Sequence, residues 1–362
     1  APVPFSRSSP VLAGRVVYAT GSDADGLITV CLDRATGAER WRRTLERANS
    51  PERYPANDSA SPSPATDGEN VYAFFPERGL VSYDAKGEQR WLLPLGPFVS
   101  FYGMAASPIL AGDTLVLLCD QQRDSFLIGV DKDTGEQRWR TERKGIIESW
   151  TTPVVYAPEG GPRQVVTFGS FWMHGYDAAS GKELWSLEGL GYTPVCSPVL
   201  AGSRVFASVP YHAEQPMPKF TDMTADKDAD GDGRLSSAEL EGSMYGEHFG
   251  WADGDQDGFI TDAEWAFVSA GMASQDYGLV AVDLKPDGSG ATEIWRHKKN
   301  LPSIASPLVA GGVVFLVKDG GIVSALDAAT GELKRRERLP DAEGEHWPSP
   351  VAAGGKLYVA SN

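Results

Sequence analysis

Residues 127–139 read LIGVDKDTGEQRW. They describe a short apolar strand, a turn around Asp131, Thr134 and Gly135, and a second strand ending in Trp139. The Asp and Thr side chains can bond backbone groups inside the turn, and Gly accepts a positive φ there. The Trp then carries a large ring into whatever lies beside the strand. The pattern returns around Asp33, Asp84, Asp177, Asp283 and Asp327, followed by Trp41, Trp91, Trp185 and Trp295 in all but the last copy. These residues read as parts that hold repeats together, not as catalytic groups.

Working outward, each unit opens with Ser/Thr-Pro and an apolar strand. The openings are Ser9, Ser63, Ser107, Thr152, Ser197, Ser306 and Ser349. A second strand follows each, as in RVVYAT, TLVLLC and QVVTFG. Pro suits the first residue of a strand, where no ladder donor is needed. Four short strands at a period of about 44 residues define one propeller blade. The expected fold is therefore all-β: a β-propeller of four-stranded blades, seven to eight in the ring, with six and a half visible.

Successive openings lie 54, 44, 45, 45, 109 and 43 residues apart. The long step holds roughly 65 residues beyond one blade period. The expected division is a propeller over 1–210 and 277–362, interrupted by a small α-helical domain at 211–276. A loop between the second and third strands of one blade tolerates such an insertion.

The inserted stretch contains DADGDGRLSSAE at 228–239 and DGDQDGFITDAE at 253–264. Both carry Asp at positions 1, 3 and 5, Gly at 6, a hydroxyl at 9 and Glu at 12. That is the pattern of an EF-hand loop, which wraps a hard cation in oxygen ligands. The predicted calcium ligands are Asp228, Asp230, Asp232, the Arg234 carbonyl, Ser236 and Glu239. In the second loop they are Asp253, Asp255, Asp257, the Phe259 carbonyl, Thr261 and Glu264. The stretch Asp23–Gly26 is Asp-Gly-rich too, but no Glu follows six residues after its Gly. Phe220, Met223, Leu240, Tyr245, Phe249, Trp265 and Val268 are spaced to form a small core of the insert's own. Its four Met residues could serve a calcium-opened binding surface or simply fill gaps. A structural calcium pair is the preferred reading, and a calcium-responsive partner-binding protein the alternative.

The net charge is −16. Residues 211–276 hold 15 Asp and Glu against 3 Lys and Arg, so most of the acidity lies there. Such a balance argues against nucleic acid and anionic membrane as partners. No apolar run approaches 18 residues, so no spanning helix is expected. Cys31, Cys119 and Cys196 fall in different repeats and read as buried free thiols, not as a disulfide framework. The first residue is Ala1, which suits a processed or trimmed terminus.

On these repeats the chain resembles the pyrroloquinoline-quinone-type repeat propellers, over residues 9–210 and 277–362. The resemblance implies an extracytoplasmic protein, periplasmic, cell-surface or secreted. That family includes quinoprotein alcohol dehydrogenases and an outer-membrane assembly lipoprotein. A dehydrogenase of that kind needs an axial calcium, a stacking indole and a catalytic base. Glu148, Trp150 and Asn57 are of the right types, but the adjacent cysteines usual in those enzymes are missing. The preferred reading is a non-enzymatic calcium-binding module for protein partners, with no catalytic residues. A PQQ-dependent dehydrogenase is the alternative.

The segments leading into innermost strands gather around the axis of a propeller. Here they are rich in aromatic and ionisable groups. Asn57, Tyr102, Glu148, Trp150, Tyr192, His346 and Trp347 are the candidate lining of an axial pocket for a small-molecule ligand. The bland reading is that they plug the channel.

Overall fold

The computed structural model describes residues 6–48, 57–122, 124–146, 148–210, 217–254, 257–274 and 276–362. Within them lie six four-stranded antiparallel sheets. The first comprises Val11–Ala13, Val16–Ser22, Leu27–Asp33 and Glu39–Leu45. In each sheet the strands lie side by side in chain order, as a meander. A two-stranded sheet, Val351–Ala353 with Lys356–Tyr358, follows the sixth. The strand proposed at Ala1–Pro4 lies outside the described residues. No helix among the described residues is long and apolar enough to cross a membrane.

The Asp turns form as their side chains dictate. Asp131 Oδ1 accepts from the amides of Asp133 and Thr134, both at 2.9 Å. Gly135 turns with φ 78°. A Cβ on Gly135 would also stand 2.7 Å from the Trp91 ring of the preceding sheet, so the turn and the sheet contact both need Gly.

The tryptophans join neighbouring sheets. The indole N–H donates to a turn carbonyl of the next sheet in four cases: Trp41 to Ala85, Trp91 to Lys132, Trp139 to Ala178 and Trp295 to Ala328, at 3.0–3.3 Å. Trp185 departs from this rule. The turn after Asp283 lacks the usual spacing, and Trp185 donates instead to Gln164 Oε1 at 2.8 Å. Gln164 Nε2 then donates to the Lys285 carbonyl at 3.0 Å, completing the bridge. Each of the five rings is at least 90% buried except Trp295, which is partly buried. Burial of that size is worth upwards of about 2 kcal/mol per ring.

A second device was not read from the sequence. The residue paired with each Trp across the third and fourth strands is small: Cys31, Ser82, Gly129, Gly175 and Ala281. A bulge follows immediately in every case. The bulge tilts the fourth strand, and the small residue leaves room for the indole.

The three thiols are free and buried, as expected. Between the third and fourth sheets, Arg143 and Asp120 form a fully buried ion pair at 2.7 Å. Ser149, Thr167 and Tyr176 complete its hydrogen bonds. No spacing in the sequence announces this network.

Candidate functional site

The chain leaves the fifth sheet after Val209 and re-enters at Gly278, and these two residues pair directly. Between them stand α1 (Phe220–Lys227), α2 (Met244–Glu247) and α3 (Asp262–Ser274). Each acidic loop follows a helix or helical turn and carries within it one strand of a short ladder. Leu235 pairs with Ile260, and Ser236 with Phe259, which sets the loops side by side.

Several bonds of the first loop recur at equivalent positions in the second. Glu239 Oε1 accepts from the Ala229 amide at 2.9 Å, and Oε2 from the Ser236 amide at 2.7 Å. Glu264 Oε1 accepts from the Gly254 amide at 2.8 Å, and Oε2 from the Thr261 amide at 2.9 Å. Asp228 Oδ2 accepts from Gly233 N, and Asp253 Oδ2 from Gly258 N, at 2.9 and 3.2 Å. The amide and hydroxyl of Ser236, with the Ala229 amide, hold the Glu239 carboxyl down to about 2, so it is ionised at neutral pH. Asp228, Asp230 and Asp232 each offer an oxygen, and these lie within 4.8 Å of one another. Oxygens at about 2.3–2.6 Å from one ion lie at most about 5.2 Å apart, so this spacing is compatible with one shared ion. The donor set is all oxygen and strongly anionic, which fits calcium. Asp255 lies outside the described residues. Arg234 reaches from the first loop to Asp257 of the second at 3.7 Å and lies over the Phe259 ring.

The apolar core of this segment holds all seven residues expected of it. It does not stop there. Phe171, Trp172 and Tyr192, which belong to the propeller sequence, pack into the same cluster. Phe267 stacks on Trp172 at 5.6 Å, and Trp251 meets Tyr192 at 5.4 Å. The core is thus shared with the sheets, because the helices are too small to bury their aromatics alone.

The same contact bears on the axial candidates. The 3-10 turn Phe249–Trp251 sits over the connections that enter the third and fourth sheets. His248 stacks on Trp251 at 3.9 Å and approaches Phe101 at 6.2 Å. Asn57 Nδ2 donates to the Tyr102 carbonyl at 2.7 Å. Tyr102 packs edge-on to Trp150 at 5.0 Å, and Trp150 Nε1 donates to the Gly103 carbonyl. Glu148 is 1% exposed, and its Oε1 accepts from Phe101 N at 2.6 Å. Burial raises the pKa of Glu148, while Ser100, the Phe101 amide, Gln122 and Trp251, which face it, offset part of the rise. Ser100 Oγ, Trp251 Nε1 and Glu148 Oε2 nonetheless complete no hydrogen bond.

Four candidates, Asn57, Tyr102, Glu148 and Trp150, are therefore linked. Tyr192 lies under Trp251. His346 is buried, with its amide on Asp319 Oδ1, and Trp347 lies beneath the Arg7 guanidinium at 5.5 Å. None of the seven lines the cleft of about 530 Å³ formed at the second sheet, whose walls include Arg78, Leu95, Phe98 and Ser100. Trp150 and Tyr192 pack against neighbouring rings, whereas Tyr102 remains 41% exposed.

Six four-stranded meanders in series, each locked to the next by a buried indole, define a repeat propeller of the PQQ-like kind. The family profile described as outer membrane protein assembly factor BamB matches residues 24–213 and 225–362, and the chain belongs to that family. No curated protein matches the sequence. Among solved structures, BamB from Moraxella catarrhalis is similar at 13% identity and a TM-score of 0.50, covering 98% of this chain and 91% of that one. A europium-containing methanol dehydrogenase aligns at 9% identity and 0.45, covering 98% and 82%. A quinohemoprotein alcohol dehydrogenase from Pseudomonas putida HK5 aligns at 15% and 0.46, covering 98% and 69%. At these identities the likeness concerns the fold.

Proposed function

We propose that this protein is an extracytoplasmic assembly or binding propeller, with a calcium-loaded EF-hand pair inserted at 211–276. The observation that carries the calcium reading is the repeated hold on the last carboxylate of each loop, with Glu239 and Glu264 each fixed by two amides at equivalent positions. Each loop sets carboxylates against one another at positions that an ion would reconcile. The ion would be held by Asp228, Asp230, Asp232, Ser236, Glu239 and the Arg234 carbonyl. Asp253, Asp255, Asp257, Thr261, Glu264 and the Phe259 carbonyl would hold the second. Calcium supplies positive charge and rigidity to these loops. The protein's part is to fix the 3-10 turn Phe249–Trp251 over the axial connections, since the Asp253 amide donates to the Phe249 carbonyl at 3.1 Å. Membership of the assembly-factor family favours a protein partner and a site beyond the cytoplasm.

The dehydrogenase reading is not adopted. Trp150, the candidate stacking indole, is 8% exposed and carries Tyr102 against its ring. Glu148 faces Trp251 and not an open cavity.

Calorimetric titration of the chelator-stripped protein with calcium tests this. Two ions per chain are expected, and one for Glu239→Gln or Glu264→Gln. No calcium binding, or two sites surviving in both variants, would reject the reading.

A further inference from the structure

The cleft of about 530 Å³ lies between the turn Pro76–Arg78 of the second sheet and the connection Pro94–Met104 that leads to the third. Among the described residues, none of those lining it belongs to 217–276. We propose that it binds a carboxylate carried on an apolar tail.

Charge and shape both point there. Arg78 sits at the end of a tight turn, its amide on the Phe75 carbonyl at 2.8 Å. Its Nε is buried and has no hydrogen-bond partner. No carboxylate pairs with its guanidinium among the described residues. Two acidic residues share the lining, Asp58 and Glu77, but both are engaged. Asp58 accepts from the amides of Ala60 and Arg7 at 2.7 and 3.0 Å. Glu77 is nearly buried, accepts from Ser59 Oγ and meets Arg47 at 3.4 Å. Arg78 is therefore the charged group on the wall whose side chain has no partner among the described residues.

A buried donor without a partner costs free energy that a ligand recovers on binding. The N–H groups of a guanidinium match the two oxygens of a carboxylate. Leu92, Leu95, Phe98 and Met104 give the wall its apolar part. An apolar cavity of this volume with few convergent polar groups takes a ligand the size of a dipeptide. The chemistry required is thus a carboxylate beside a branched aliphatic group. It could come from a free small acid or from the end of a polypeptide. The cleft and the acidic loops are separate, so this proposal stands apart from the calcium reading.

The test is calorimetric titration with N-acetyl-Leu-Leu, with its carboxamide, and with 4-methylpentanoate, run with and without calcium. Saturable binding of an acid is expected, at least tenfold weaker for the carboxamide. Arg78→Gln should weaken binding at least tenfold, and Arg78→Lys should retain part of it. Neither should shift the unfolding midpoint, because the Arg78 side chain makes no internal hydrogen bond. Tenfold tighter binding of the dipeptide than of 4-methylpentanoate would assign a polypeptide end. Equal binding would assign a small acid. Failure of both acids to bind at millimolar concentration, equal binding of the carboxamide, or indifference to Arg78→Gln would overturn the proposal.

Discussion

The backbone amide of Ser63 donates to the hydroxyl of Ser107 at 2.9 Å, across 44 residues of sequence. The same bond runs from Ser9 to Ser63, Ser107 to Thr152, Thr152 to Ser197, Ser197 to Ser306 and Ser306 to Ser349, at 2.9–3.0 Å. Six hydrogen bonds thereby tie seven innermost strands in sequence order. The hydroxyl of each Ser/Thr-Pro pair is the acceptor, and the Pro behind it starts the strand. Ser107→Ala should cost about 1–2 kcal/mol, since it orphans the Ser63 amide. Ser107→Thr should cost little, because Thr152 fills the equivalent place. Chemical unfolding of the two variants decides this. Equal stability of Ser107→Ala and wild type would show the relay to be incidental.

Gly129 faces Trp139, and a Cβ there would lie 2.2 Å from the indole. Gly129→Ala should destabilise by about 1–3 kcal/mol, the usual cost of overpacking. Cys31→Ala, opposite Trp41, removes only a sulfur and should cost less. Thermal unfolding of both variants gives the comparison.

His174 is 9% exposed and stacks beside Tyr176, with Arg143 close by. Burial, then the Arg143 charge, lowers its pKa to about 3. The unfolded chain takes up a proton near pH 6.5 that the folded one refuses until about pH 3. Stability should therefore fall as pH drops through that window, by about 1.4 kcal/mol per unit. Between pH 6.5 and 5 wild type should lose about 2 kcal/mol more than His174→Gln. Parallel pH profiles in urea unfolding would refute the assignment.

Much of this was legible from local pattern. The Asp turns and Trp positions are set by residues within twelve of one another, so their period showed the sheets. The Ser/Thr relay was not read, although its residues were quoted, because each bond spans a whole repeat. Gln164 replaces a turn carbonyl for Trp185, and only the irregular turn after Asp283 hinted at it. The helical segment's core looked self-contained because Phe171, Trp172 and Tyr192 carry no mark separating them from ordinary blade residues. Tyr102 and Trp150, both named as candidates, pack against one another. Whether an aromatic lines a pocket or fills it depends on what stands opposite, and here Trp251 comes from 101 residues further along the chain than Trp150.

The central claim is that calcium in the acidic loops holds Phe249–Trp251 against the axial connections. Amide hydrogen exchange, with calcium and after chelation, tests it most directly. Chelation should speed exchange within 217–276 and also at Phe101–Gly103 and Phe171–Thr193, while strands such as Leu115–Cys119 stay protected. Faster exchange confined to 217–276, or none anywhere, would contradict the account.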